Sequence, residues 1–113
     1  MNKARSDFGL DAMIGGDLRA FFDRNSGVDR VWIFGSRARE DEHARSDVDL
    51  AVDAPHMDSS AFEALRRGLE KLLFVRKIEL VHWQTVSDDR FRREIETERK
   101  VFWERVGRKA EVA

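Results

Sequence analysis

One continuous stretch, residues 31–53, constrains the fold more than any other part of the chain. It begins with the apolar run V-W-I-F, which favours a short buried strand. Gly35-Ser36 then ends this strand and opens a loop. The loop is rich in charge and contains Arg37, Arg39, Glu40, Asp41, Glu42 and Arg45.

A second strand follows the loop and separates apolar residues from acids. Its period-two geometry places on one face Val48, Leu50 and Val52. The opposite face receives Asp47, Asp49, Ala51 and Asp53. A strand that buries one face while it lines the other with carboxylates presents those acids to a ligand.

The chemistry of the paired acids indicates a divalent cation. Asp47 and Asp49 point the same way, roughly 7 Å apart on a strand that rises about 3.3 Å per residue. Two carboxylates this close repel each other unless a cation neutralises them. Hard oxygen ligands suit Mg²⁺, which completes its shell with water and substrate phosphates.

The turn upstream of the acids indicates a phosphate group. Gly35 allows a phosphate to approach the backbone closely, and Ser36 supplies a hydroxyl. Arg37 and Arg39 add forked donors that pair with phosphate oxygens. A phosphate cradle beside a metal site suits a nucleoside triphosphate and its magnesium.

These motifs resemble those of a known family. G-S-R-A-R at 35–39 followed by S-D-V-D-L at 46–50 resembles the minimal nucleotidyltransferase domain of the DNA polymerase β superfamily. The family motif is Gly-Ser, a loop, then Asp-x-Asp, with a third acid on a later strand. The segment K-I-E-L-V-H-W at 77–83 is similar to that later strand, which assigns the third acid to Glu79.

The resemblance implies a fold and a set of site residues. The implied fold class is α/β (α+β): a mixed sheet with helices packed on one face and an acidic cleft on the other. The implied catalytic residues and ligands of two Mg²⁺ ions are Asp47, Asp49 and Glu79. The residues expected to bind the nucleotide, with ATP as substrate, are Gly35, Ser36, Arg37, Arg39 and Ser46.

The resemblance also implies an activity and a partner. Small stand-alone members resemble the antitoxin halves of two-gene systems whose partner is an all-helical HEPN protein. The implied reaction moves AMP from ATP to a hydroxyl on that partner. Two departures leave an alternative open, because Glu79 stands where the family usually has Asp, and Glu40 where it often has Gly. The alternative is a catalytically weak nucleotide-binding module that neutralises or regulates a helical partner by binding alone. A hetero-oligomer and a homo-oligomer both stay open.

Composition narrows the classes of protein that this chain could belong to. A chain of 113 residues predicts one domain over 1–113, with 107–113 as a frayed tail. The net charge of −1 argues against a dedicated nucleic-acid binder, and the absence of cysteine excludes disulfides and zinc–thiolate sites. No apolar run is long enough to span a membrane, so we expect a cytoplasmic protein with no membrane partner.

The rest of the chain predicts elements that support the site. We expect a first helix over 7–25, capped by Ser6 or Asp7 and interrupted at Gly15-Gly16. A second helix is expected over 59–74, starting with a capping box at 60–63. A last helix is expected to start at 87–89, before a segment at 100–106 whose alternation favours an edge strand, with continuation of the helix as the alternative. His82 falls on the strand face opposite Glu79 and is left out of the site.

Overall fold

The computed structural model describes residues 6–43, 46–72 and 77–106, in which helices and strands alternate. The helices are α1 (Ala12–Asp23), α2 (Ser36–Arg39), α3 (Ser59–Leu72) and α4 (Asp89–Glu98). The strands are β1 (Arg30–Phe34), β2 (Val48–Asp53), β3 (Ile78–His82) and β4 (Lys100–Glu104). A short turn lies at Ser6–Gly9, where Asp7 and Phe8 have left-handed backbone conformations, and a 3-10 turn lies at Trp83–Thr85.

The four strands form one mixed sheet in the order β3-β2-β1-β4. β1 runs antiparallel to both β2 and β4, whereas β2 and β3 are parallel and are joined by the crossover helix α3. The predicted fold class, a mixed sheet with packed helices, is confirmed. The final segment is an edge strand, as its alternation predicted.

One face of the sheet carries the main hydrophobic core. The strand residues on this face are fully buried and alternate along β1 and β2: Val31, Ile33, Val48, Leu50 and Val52. They cluster with α1 and α3, which contribute Leu18, Phe21, Phe22, Phe62, Leu65 and Leu69. The alternation read from the sequence therefore assigns the apolar positions of β2 to the correct face.

The opposite face carries a smaller cluster and the fourth helix. Trp32, Phe34 and Ala51 are buried there together with Trp83 and Ile95. The prediction placed helices on one face and a cleft on the other. α1 and α3 follow this arrangement, but α4 lies on the cleft face because its apolar stripe packs onto the aromatic residues of β1.

The first helix begins later than predicted. α1 starts at Ala12, and the Asp11 side chain accepts hydrogen bonds from the backbone N–H groups of Met13 at 2.9 Å and Ile14 at 3.2 Å. Asp11 is therefore the N-cap, and the prediction of Ser6 or Asp7 is wrong.

The helix is also continuous through Gly15-Gly16, where a break was predicted. A Cβ atom at Gly15 would collide with the carboxylate of Asp7, which forms an ion pair with Arg19. This close approach gives a reason for glycine inside a helix, so the predicted break is wrong.

The other predicted elements differ mainly at their ends. α3 is capped by Asp58, whose carboxylate accepts from the Ala61 N–H at 2.8 Å, so the predicted capping box at 60–63 is wrong. α4 begins with Asp88 as its cap. Residues 73–74 and the tail at 107–113 lie outside the described residues. Among the described helices, none has the length and apolar character needed to cross a bilayer.

Candidate functional site

The parallel pairing of β2 and β3 brings the predicted acids together. Asp49 on β2 is in register with Glu79 on β3, and Asp47 immediately precedes the first residue of β2. The three side chains line one cleft on the face opposite the main core. Asp49 is half-buried, whereas Asp47 and Glu79 are exposed.

Electrostatics make this group of acids unfavourable when all of them are ionised. Burial raises the pKa of the Asp49 carboxyl above its ordinary value, and the negative charge of Asp47 raises it further. Glu79 and Glu98 act in the same direction, whereas the nearby positive charge of Arg39 lowers this pKa. A cation among these carboxylates would relieve the repulsion.

The carboxylate ligands suit magnesium, although their present arrangement does not form a complete metal site. Carboxylate oxygens are the ligands that Mg²⁺ prefers. Across residues 6–43, 46–72 and 77–106, no group of three or more His, Cys, Asp or Glu side chains could hold a metal ion as arranged. Asp47, Asp49 and Glu79 therefore offer suitable donors that would need to adjust around an ion.

Gly35 lies against the acid group and is required there for two reasons. Its φ of 77° lies in the region that favours glycine. Phe34 is paired with Asp49 across β1 and β2, and a Cβ atom at Gly35 would collide with the Asp49 carboxylate. The backbone N–H of Gly35 is therefore positioned beside the metal-ligand candidates.

A carboxylate from α4 occupies the donors of this turn. The Gly35 N–H donates to Glu98 Oε1 at 3.0 Å, and Arg39 Nη1 donates to Glu98 Oε2 at 2.9 Å. The Glu98 side chain is 15% exposed. Sequence reasoning missed Glu98, because one glutamate in a charged helix carries no motif, and it lies 63 residues from Gly35.

Arg39 lies at the cleft, where acids hold it. Its guanidinium bonds to Asp41 Oδ2 at 3.1 Å as well as to Glu98. These hydrogen bonds, Asp41 first and Glu98 second, raise the pKa of Arg39 above its ordinary value. Arg39 is thus a cation at the cleft that an incoming anion could share.

Arg37 has a different place from the one predicted. Its side chain is 1% exposed, and it donates to the carbonyl oxygens of Phe8 and Ser46, each at 3.1 Å. It is not among the described residues that line the cleft. Arg37 therefore links the loop to the N-terminal turn through these two hydrogen bonds. Because its side chain is buried, it is not placed to pair directly with a phosphate.

Ser46 both lines the cleft and closes the loop. Its hydroxyl accepts from the His43 N–H at 2.8 Å, and its own N–H donates to the His43 carbonyl at 3.0 Å. Ser36, the first residue of α2, also lines the cleft.

Glu40, where the family often has glycine, has a left-handed backbone. Its φ is 68° and its ψ is 29°, at the C-terminal end of α2. Glycine adopts this conformation without a steric penalty, which gives a physical reason for glycine at this point of the loop. Glu40 is not among the described residues that line the cleft.

The cleft has a volume of about 820 Å³ and joins most of the predicted residues. The predicted residues along its wall are Gly35, Ser36, Arg39, Ser46, Asp47, Asp49 and Glu79. An apolar part of the wall, missed by the motif reasoning, consists of Phe34, Val81 and Phe91. His82, left out of the site, is buried on the other face, where its ring stacks on Phe62 and its Nε2 lies 2.9 Å from the Ala54 carbonyl.

Comparison with known proteins agrees with this geometry. A family model described as polymerase beta, nucleotidyltransferase matches residues 17–107. A search of curated proteins gives no significant match.

Three solved structures share the fold. The first, a toxin–antitoxin crystallised with AMP-PNP, has a TM-score of 0.64 and 22% identity over 87% of this chain and 78% of that chain. The second, a tri-AMPylated HEPN toxin with its MNT antitoxin from Shewanella oneidensis, has a TM-score of 0.63 and 19% identity over 91% and 79%. The third, a putative nucleotidyltransferase from Sulfolobus solfataricus, has a TM-score of 0.57 and 19% identity over 95% of both chains.

Proposed function

Because this chain belongs to the polymerase β nucleotidyltransferase family, we propose that it is a magnesium-dependent enzyme that transfers AMP from ATP to a hydroxyl group on a partner protein. The proposal rests on one observation: Gly35 and Ser36 line the same cleft as Asp47, Asp49 and Glu79. Phosphate-binding groups and metal-ligating groups on one wall suit a metal-bound triphosphate.

The acids and the turn have separate roles in this proposal. Asp47, Asp49 and Glu79 would hold two Mg²⁺ ions. Magnesium at such a site neutralises phosphate charge and makes the acceptor hydroxyl easier to deprotonate. The Gly35 N–H and the Ser36 hydroxyl orient the β- and γ-phosphates.

Two further side chains contribute to nucleotide binding, and a third acts on the loop. Arg39 pairs with a phosphate oxygen in place of Glu98, and Ser46 supports the loop that lines the cleft. Arg37, which was predicted to contact nucleotide, acts instead by holding the loop in position through the Phe8 and Ser46 carbonyls.

The transfer is a substitution at the α-phosphorus. The acceptor oxygen forms a bond to this phosphorus while the bond from the phosphorus to the bridging oxygen of the β-phosphate breaks. Pyrophosphate leaves with the bonding electrons, and the hydroxyl proton passes to a carboxylate oxygen of the cleft. The cleft positions the reactants and stabilises charge, which supplies most of the catalysis in phosphoryl transfer.

The partner in this proposal is an all-helical HEPN-type protein, in a toxin–antitoxin pair in the cytoplasm. Support comes from the similar solved structures, one of which contains a tri-AMPylated HEPN toxin with an MNT antitoxin. Another holds AMP-PNP in a toxin–antitoxin assembly. The proposal carries this arrangement over to the present chain.

The test is a transfer reaction followed by intact mass measurement. The protein is incubated with ATP, Mg²⁺ and a HEPN-type protein encoded beside its gene, and both chains are weighed. We expect the partner to gain one or more AMP groups, and the Asp49→Asn variant to add none. If the partner forms a stable complex but gains no AMP, the proposed transfer activity is wrong.

A second candidate function is favoured by the arrangement of the acids. Asp47 and Glu79 are exposed, and the described residues contain no finished three-ligand metal group. A module that binds nucleotide and neutralises a helical partner without chemistry would need no such group. The same mass measurement separates the two functions, because a module leaves the partner unmodified.

A further inference from the structure

The Glu98 carboxylate has the charge and the contacts of a phosphate group. One oxygen accepts from the Gly35 N–H at 3.0 Å and the other from the Arg39 guanidinium at 2.9 Å. These are two of the donors that a triphosphate would use in this cleft. The acid comes from the last residue of α4, a helix outside the Gly-Ser to Asp-x-Asp motif.

We propose that Glu98 is an internal competitor for the phosphate site, which nucleotide must displace and which favours nucleotide that arrives with a divalent cation. The inference rests on the proposed function and adds a form of regulation to the same site. It follows from competition at the Gly35 N–H, since this single donor cannot be given in full to a carboxylate and a phosphate at once.

The backbone around Glu98 indicates how the acid would leave. The next residue, Arg99, donates its N–H to the Ile95 carbonyl at 2.8 Å, and its guanidinium carbon lies 4.1 Å from the ring centroid of Trp32. The same guanidinium lies 5.1 Å from the ring centroid of Trp83. Because these contacts fix the end of α4, displacement proceeds by rotation of the Glu98 side chain and leaves the helix in place.

The charges of the cleft explain the preference for a cation. A displaced Glu98 stays near Asp47, Asp49 and Glu79, and Glu94 lines the same cleft, so a metal-free triphosphate would add its negative charges to five carboxylates. The charge of Glu98 also contributes to the raised pKa of Asp49. A divalent cation offsets this repulsion, and the triphosphate can then replace the carboxylate at Gly35 and Arg39.

Calorimetric titration with AMP-PNP, with Mg²⁺ and with EDTA, tests the proposal in three proteins. They are the wild type, Glu98→Gln and Glu94→Gln. Glu94 is a matched control, because it lines the same cleft from the same helix and its substitution removes the same charge. Melting curves verify that each variant is folded.

We expect Glu98→Gln to bind Mg²⁺–AMP-PNP about tenfold more tightly, because the binding-competent fraction rises. Its metal-free binding should become measurable. Glu94→Gln should change either affinity by about threefold or less. Equal affinities for the wild type and Glu98→Gln would overturn the inference and leave the proposed function intact, and so would equal gains in the two variants.

A second readout concerns the contact itself and needs no variant. The amide proton of Gly35 is followed by NMR while the wild type is titrated with Mg²⁺–AMP-PNP. We expect a large shift of this resonance as phosphate replaces the carboxylate. An unchanged Gly35 amide at saturation would overturn the competition, whereas failure of all three proteins to bind AMP-PNP would overturn the proposed function together with this inference.

Discussion

The two faces of the sheet differ in their access to solvent: helices cover the core face, whereas the cleft face exposes acidic side chains. On the core face, Val31, Ile33 and Leu50 are fully buried beneath α1 and α3. On the cleft face, the same strands carry Trp32 and Phe34 and then reach Asp49. One sheet thus combines a dry apolar layer with an acidic cleft, because successive residues of a strand point to opposite sides.

The difference shows that the core face supplies most of the folding free energy, whereas the cleft face carries the groups for binding and chemistry. The core face gains free energy from non-directional burial of apolar area. The cleft face is stabilised at one part by guanidinium groups over indole rings, with Arg92 4.0 Å from the centroid of Trp83 and Arg99 4.1 Å from that of Trp32. At its other part, burial of the Asp49 carboxylate, together with repulsion from neighbouring carboxylates, raises the pKa of Asp49 and opposes folding while this group is ionised. The cleft is therefore maintained by a fold whose stability comes from elsewhere.

The comparison predicts that truncation is far more harmful on the core face. Leu50→Ala removes a fully buried side chain between Ile33 and Leu80, and we expect a loss of about 2–5 kcal/mol in unfolding free energy. The control Val81→Ala lies on the cleft face and should lose less than about 1 kcal/mol. Urea denaturation measures both, and similar losses would contradict the division between the faces.

The second prediction concerns chemistry on the cleft face. Glu79→Gln should reduce AMP transfer by about 100-fold or more, equivalent to about 2.7 kcal/mol, with little change in AMP-PNP affinity. Glu79→Asp, which restores the shorter acid usual in the family, should raise the rate. If Glu79→Gln transfers as fast as the wild type, Glu79 is a structural residue and its role as third ligand is wrong.

The third prediction separates the two arginines of the motif. Arg37→Met leaves two carbonyl oxygens, of Phe8 and Ser46, without this donor, and should cost about 2–3 kcal/mol of stability. Arg39→Met, at an exposed position, should leave the unfolding free energy nearly unchanged but weaken AMP-PNP binding. Urea denaturation and calorimetry distinguish these results, and the reverse pattern would return Arg37 to the phosphate site.

The fourth and smallest effect concerns the loop between the strands. Glu40→Gly should raise unfolding free energy by up to about 1 kcal/mol, because glycine adopts the φ of 68° without a steric penalty. Glu40→Gln removes the charge and keeps the backbone penalty, so the difference in melting temperature between Glu40→Gly and Glu40→Gln isolates the effect of the backbone. A lower melting temperature for Glu40→Gly would show that other contacts of Glu40 outweigh the backbone penalty.

Much of the fold follows from local patterns in the sequence. The alternation in β2 determines which of its residues face the core, and the same period places Glu79 opposite Ile78 and Leu80 on β3. The predicted helix over 59–74 and the final edge strand follow from apolar spacing. These features were predictable because each depends on residues close together in the chain.

The remaining features depend on contacts between distant segments. Arg37 and Arg39 look equivalent in sequence, and the Phe8 carbonyl, 29 residues away, helps to determine which one is buried. Glu98 reaches Gly35 across 63 residues, so no spacing rule identifies it. The start of α1 was mispredicted because Asp7 pairs with Arg19 and Asp11 caps the helix.

Whether the cleft binds nucleotide through magnesium is measured by titrating AMP-PNP into the wild type and Asp49→Asn. Each titration is performed with Mg²⁺ and with EDTA. Because Asp47 and Glu79 surround a half-buried Asp49 whose pKa is raised, we expect Mg²⁺ to strengthen wild-type binding by about tenfold or more. Asp49→Asn should remove that difference while its melting curve stays cooperative. Equal wild-type affinity with Mg²⁺ and with EDTA would show that the cleft does not bind nucleotide through magnesium.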